Sequence, residues 1–146
     1  MAVEINHTSE DITASVGSIT IDGKPTNSPV SIIYTFDGGG SAVTTGLKGF
    51  LQIPFACTIT EAVLLADVSG SIVVDIWKDT YANHPPTVAD TITASAKPTL
   101  SSAVKSTDST LTGWTTSVSA DDILAFNIDS AATLTIAILV LSVTKT

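Results

Sequence analysis

The side chains best placed to do chemistry lie in one short run, Asp75-Ile-Trp77-Lys-Asp79, with Tyr81 two residues on. A Trp face with a carboxylate on either side suits a sugar ring, which stacks on the indole while its hydroxyls donate to the acids. Paired acids are also the equipment of glycoside hydrolysis, where the separation of the two carboxyl groups decides the mechanism. The same residues have a plainer reading. Trp is commonly a packed residue in a β-sandwich, and Asp75 and Asp79 can be ordinary solvated charges. Packing, or burial in a subunit contact, is the favoured reading; a ligand site ranks second and catalysis third.

The remaining reactive residue types do not assemble into a site. His7 and His84 are isolated, whereas a metal centre needs three or four converging ligands. Asp121-Asp122 precedes a strand and reads as a turn, since the oxygen spacing and glycine of a calcium loop are missing. Cys57 has no second cysteine to pair with and reads as a small buried hydrophobe. The run Asp37-Gly-Gly-Gly40-Ser lacks the helix start and lysine of a phosphate-binding loop, so it reads as a flexible linker. No catalytic, cofactor-binding or metal-ligating residue is assigned, and no enzymatic activity is expected.

Composition narrows the function classes. Acidic residues outnumber basic ones 14 to 6, and the basic ones are all Lys. Without guanidinium forks and at a net charge of −8, nucleic acid is a disfavoured partner. The start MAVEINHTSE has neither the basic nor the apolar region of a signal peptide. The longest apolar run, Ala131 to Val143, is interrupted by Thr133, Thr135 and Ser142 and falls short of the roughly 20 residues a bilayer span needs. No membrane partner is expected.

Of the chain's residues, 44% are hydrophobic but only 5% aromatic. That apolar mass is Ala, Val, Ile and Leu among many Ser and Thr, which suits pleated strands. Leu47 to Ile53 alternates, with Leu47, Gly49, Leu51 and Ile53 on one face, and Pro54 stops it. Thr58 to Asp67 is apolar on both faces. Val68-Ser-Gly70-Ser predicts a tight turn, after which Ser71 to Asp79 points Ile72, Val74 and Ile76 inward and Val73, Asp75, Trp77 and Asp79 outward. The Pro-stiffened stretch around His84-Pro-Pro86 reads as a fixed contact surface. Thr91 to Thr112 reads as a polar, loop-rich crossing, and Ser130-Ala-Ala as a further turn. Leu134 to Val143 is a closing strand with two oily faces, one of which needs a cover.

Six or seven strands without helical periodicity predict an all-β fold, a jelly-roll or Greek-key β-sandwich with an extended N-terminal arm. The expected organisation is an arm and Gly-rich hinge over 1–40 and a sandwich over 41–146. Within the arm, Ile19, Ile21, Val30, Ile32, Tyr34 and Phe36 are the expected contacts to a neighbouring subunit. The alternative, left open by the sequence, is that these strands complete the main sandwich. Uncovered apolar strand faces point to self-association.

Three pieces carry a family resemblance: IPFACTIT (Ile53 to Thr60), GSIVVDIWKDTYANHPPT (Gly70 to Thr87) and LTGWT (Leu111 to Thr115). With the chain between them, roughly Gly46 to Val143, they resemble a module of tailed-bacteriophage virion proteins, found in minor structural, tail or fibre and capsid decoration proteins. The resemblance implies a non-enzymatic, usually trimeric β-sandwich on the virion, with no cofactor and no catalytic residues. The function it suggests is a capsid decoration (cement) protein that binds the major capsid protein on the capsid exterior and is made in the host cytoplasm. The alternative is a receptor- or carbohydrate-binding module of a tail or fibre tip, using Asp75, Trp77, Asp79 and Tyr81.

Overall fold

A computed structural model describes residues 29–146, together with the backbone of two short paired strands, β1 (Thr20–Ile21) and β2 (Lys24–Pro25). The remaining strands are β3 (Pro29–Asp37), β4 (Gly46–Gln52), β5 (Cys57–Asp79), β6 (Thr99–Asp108), β7 (Ser117–Val118), β8 (Ile123–Ala132) and β9 (Ile136–Lys145). They form one seven-stranded antiparallel sheet, so the all-β expectation holds. Among the described residues no helix is long and apolar enough to cross a membrane.

The sheet is built on one long ribbon. β5 runs for 23 residues without a break. Its C-terminal half pairs with β8, from Ser71↔Ala132 to Asp79↔Ile123, and its N-terminal half with β9, from Cys57↔Lys145 to Ala66↔Ala137. β3 then flanks β9 and β4 flanks β8, while β6 follows the other edge of β5. The sheet is creased across its middle, where β8 gives way to β9 and β3 to β4. One half holds β3, β9 and the start of β5; the other holds β4, β8 and the end of β5. Their inner faces meet in a single core. Ile59, Leu64, Leu139 and Leu141 face Ile72, Val74, Ile76, Leu124 and Ile128, all nearly solvent-free. Tyr34 of β3 stacks on Phe126 of β8 across the gap, with ring centroids 4.1 Å apart.

The crease corrects the tight turn expected at Val68–Ser71. The chain does not reverse there; it stays extended and changes partner from β9 to β8. Gly70 lets the ribbon crease because a Cβ there would lie 2.7 Å from the Ala132 carbonyl oxygen. Asp67 fills the gap left where Thr133–Thr135 drops out of the ladder. Its carboxylate accepts from the Thr135 hydroxyl and from the backbone N–H groups of Thr135 (3.2 Å) and Ile136 (3.0 Å). The Thr135 hydroxyl, then the Ile136 amide, are the main reasons its pKa falls from an ordinary 3.8 to about 2. The glycine run after Asp37 joins β3 to β4 at the same crease, with Gly38 N–H donating to Thr135 and Val43 N–H to Leu134.

Other differences come from pairing. A bulge between Ile59 and Glu61 puts Ile59 on the core face with Ala62 and Leu64, and turns Val63 and Leu65 outward. A bulge between Leu47 and Gly49 turns Leu47 away from the face shared by Gly49 and Leu51. The Ser/Thr-rich stretch expected as loop contains the ten-residue β6, and Ser130–Ala132 continues β8 where a turn is expected. β6 lies outside β5 and buries only Leu100 fully, so it has little apolar alternation to reveal it.

Two tests follow from the crease. Gly70→Ala is expected to cost about 1–3 kcal/mol, because the added methyl meets backbone rather than a movable side chain; an unchanged urea midpoint would show that the crease has room. Asp67 is ionised more readily folded than unfolded, so its contribution is complete above roughly pH 4 and is lost as pH falls through about 2. Asp67→Asn should therefore flatten the acid limb of a stability–pH curve between those values, and an unchanged slope would count against this role.

Candidate functional site

The residues singled out by the sequence lie on the outer face of the β4–β8–β5 half. β5 alternates as expected: Ile72, Val74 and Ile76 are fully buried inside, and Asp75, Trp77 and Asp79 point out. That outer face is not open, because the connection from β5 to β6 folds back along the edge of β5. Ile92 N–H donates to Ile76 (2.8 Å), Val74 N–H donates to Pro98 (2.9 Å), and Thr91 bridges Trp77. Two short 3-10 turns shape the connection, Tyr81–Asn83 and Val88–Asp90, the second closed by a capping box between Thr87 and Asp90.

Asp75 is 1% exposed beneath this connection. Its carboxylate accepts from the hydroxyls of Thr91 (2.6 Å) and Thr93 (2.7 Å) and pairs with Lys97 at 2.9 Å. Lys97 also pairs with Asp129 at 2.6 Å. Burial raises the Asp75 pKa, but hydrogen bonds from Thr91, Lys97 and Thr93 outweigh it and hold the group below the usual carboxylate range. The Asp129 carboxylate, then Asp75, push Lys97 above its ordinary value. The result is a fixed cluster of paired charges that anchors the connection. A carboxylate so held has no proton to give at neutral pH and no open side for a substrate.

Asp79 and Tyr81 do not converge with it, whereas the Trp77 indole lies beside it, close enough to help lower its pKa. Trp77 is half-buried, and its indole Nε1 is enclosed without a hydrogen-bond partner among the described residues. Asp79 accepts from the Thr80 N–H (2.7 Å) and the Asn83 amide (3.1 Å), which holds the first 3-10 turn. Tyr81 is 70% exposed. Across the sheet, Phe50, Ala125 and Trp77 share one rung, and the His84 ring meets Phe50 edge-on at 4.7 Å. The sequence marks His84-Pro-Pro86 as stiff, but nothing local marks Phe50 as its partner.

Asp122 is nearly buried, accepting from the Ser119 N–H (2.8 Å) and pairing with Lys78 (3.1 Å), as a turn residue should. Cys57 is 1% exposed, and burial, then the Asp122 charge, push its thiol pKa up. Among the described residues no group of three or more His, Cys, Asp or Glu could hold a metal ion.

The expected contact residues of the arm are placed differently. Ile19 lies outside the described residues, and for Ile21 only the backbone in β1 is described. Val30, Ile32, Tyr34 and Phe36 belong to β3, which completes the sheet along β9, the arrangement the sequence left as its alternative. Ile32 and Phe36 are core residues, with Val30 and Tyr34 packed against them. Those side chains are therefore not a contact surface, because alternation turns them inward. The outward apolar residue is Ile33, 58% exposed, which no local signal separates from its inward neighbours.

Ile33 belongs to the surface most suited to binding, the outer face of the β3–β9–β5 half. Its rungs run Ile33, Val140, Val63, Thr107 and Thr35, Ile138, Leu65, Lys105. Leu65 is 41% and Ile136 39% exposed, and a shallow apolar hollow lies between Leu65, Ala66, Asp67, Ile136 and Ile138. At one end Glu61 accepts from Thr107 (3.0 Å) and Ser142 (3.2 Å); at the other stand Asp37 and Asp67. Among the described residues nothing covers this face. It is an apolar centre with a polar rim, the anatomy of a protein contact.

No protein-family model and no curated protein matches the chain. Among solved structures, a chain from the structure of infectious bursal disease virus Gx strain is 14% identical, with a TM-score of 0.24. The match covers 89% of this chain and 43% of that one, so this chain spans less than half the other's length. At that TM-score the likeness carries no argument.

Lys97→Met tests the structural role of the ion cluster. It leaves the Asp75 carboxylate buried with two hydroxyls for company, at an expected cost of about 2–4 kcal/mol at neutral pH. In the variant one of the contacts that lower the Asp75 pKa is gone, so its ionised form is favoured less by folding than in the parent and the deficit should shrink as pH falls. Stability unchanged from the parent at neutral pH would show that the cluster does not anchor the connection.

Proposed function

We propose that this chain is a virion structural protein, a trimeric capsid decoration protein that binds the major capsid protein on the outside of the shell. The observation that carries this reading is the uncovered apolar face of the β3–β9–β5 half, beside a second outer face that the chain covers with its own connection. A fold that covers much of one face with its own connection, leaving Leu47 and Phe50 exposed only at its β4 edge, and leaves the other face oily is suited to adhesion. The resemblance of the Ile53–Thr60, Gly70–Thr87 and Leu111–Thr115 segments to tailed-phage virion modules supplies the setting. The one carboxylate most suggestive of sugar chemistry, Asp75, is committed to holding the scaffold. A carbohydrate-binding module would have to work from Tyr81 without it.

In this reading the chain before Pro29 is the docking arm. The residues from Pro29 onward are committed to the sheet, whose β3 edge lies open among the described residues to an added strand. Bound across neighbouring shell subunits, the protein stabilises the assembled state by mass action.

The test uses particles of the virus that encodes the chain. Density for the protein is expected on the outer capsid surface, absent from particles made without it and restored by adding the purified chain. Its absence from purified particles would overturn the proposal. Removing residues 1–28, and not a longer stretch that would take β3 from the core, should abolish occupancy while leaving the melting temperature close to that of the full chain.

A further inference from the structure

We propose that the outer face of the β3–β9–β5 half docks against the same face of a second copy of this chain, with the Lys105 edge of one copy on the Asp37 edge of the other. The occupant follows from how charge is laid out on the face. Lys105 stands at the β6 edge, at the end of the rung Thr35–Ile138–Leu65–Lys105. Asp37 stands at the opposite, β3 edge, beside Ile136 and one side-chain step along from Thr35. Between the two edges lie the apolar side chains of Ile33, Leu65, Ile136 and Ile138.

Lysines are scarce in this chain, and among those whose side chains are described all but Lys105 are engaged within it. Lys78 pairs with Asp122, and Lys97 with Asp75 and Asp129. Lys48 donates to Thr44 and the Thr45 carbonyl, and Lys145 lies over the Phe55 ring at 4.4 Å. Lys105 has no such partner among the described residues. Asp37 uses one carboxylate oxygen to accept from Gly39 N–H at 2.7 Å, and the other has no partner among the described residues.

Laying two copies of the face together about an axis along the strands exchanges left and right. The Lys105 edge then falls on the Asp37 edge in every contact, and the apolar rungs meet at the spacing of about 10 Å usual for stacked sheets. The opposite arrangement, each edge on its own kind, sets Lys105 against Lys105 and Asp37 against Asp37, which like-charge repulsion disfavours. A pair about such an axis stacks the two faces, whereas a closed ring of three keeps the Lys105–Asp37 edge pairing and turns all three faces toward the common axis. The inference thus deepens the self-association in the proposed function, and it does not depend on the shell.

The full chain is measured by light scattering and sedimentation over a concentration series, with melting curves as the folding control. The parent is expected to be an oligomer. Leu65→Asp and Ile33→Asp, both at exposed positions, should give folded single chains. Lys105→Asp alone and Asp37→Lys alone should each weaken association by roughly tenfold, and the double exchange should restore most of it, since rim ion pairs are modest singly but recur at each contact. A parent that is monomeric at about 100 µM, well above the micromolar range of ordinary specific association, would overturn both this inference and the self-association it deepens. An oligomeric parent whose mass is unchanged by Leu65→Asp and Ile33→Asp would overturn this face alone. Loss of assembly in those variants without rescue by the double exchange would overturn the edge pairing.

Discussion

The antiparallel ribbon formed by Cys57–Asp79 against Ile123–Lys145 sets the terms for the rest of the molecule. A ribbon that long cannot lie flat and bury one face, so it creases and presents its two halves to each other. The crease interrupts a ladder of backbone hydrogen bonds, and each interrupted group needs a partner. Asp67 supplies three acceptor contacts at that point, and Gly70 supplies the close approach of one strand to the other. The flanking strands β3 and β4 inherit the crease from the strands they pair with. Tyr34 on Phe126, with Gly49 leaving room for the Tyr34 ring, then fixes the separation of the halves.

Creasing a sheet creates two outer faces, and this chain treats them differently. Over the β4–β8–β5 half it lays the connection from Thr80 to Pro98. Covering that face buries a carboxylate, which is unfavourable unless every oxygen is matched. Two threonine hydroxyls and Lys97 match it. Over the other half no described segment lies, and Ile33, Leu65 and Ile136 stay in contact with solvent. The residues that look most chemical are thus spent on architecture, and the function proposed here falls to residues with no chemistry beyond their surface and rim charge.

Much of the local order is legible in the residues. Ile72, Val74 and Ile76 alternate with outward residues as expected, Pro54 follows the end of a strand, and Asp122 takes the place of a turn residue. Most departures from the residue pattern concern which strand pairs with which. Val68-Ser-Gly70-Ser has the composition of a hairpin turn, yet no reversal occurs, because the partner strand creases at the same place and keeps the ladder going on the far side. The bulge after Ile59 exists only relative to β9, and it decides that Leu65 faces out. β6 is hidden because an outer strand built from Ser and Thr carries no apolar rhythm.

From the sequence alone follow the β character of the chain, the faces of its best strands, the weakness of any case for metal, thiol or nucleic-acid chemistry, and the expectation that some apolar strand surface needs a cover. These are set by side-chain type and by the two-residue period of a strand, both local. Only the tertiary structure decides that Asp75 is an anchor, that Ile32 and Phe36 are core while Ile33 is surface, and that the bare face carries Lys105 and Asp37 on opposite edges. Such facts depend on register between segments far apart in the chain, where a shift of one residue exchanges inside for outside.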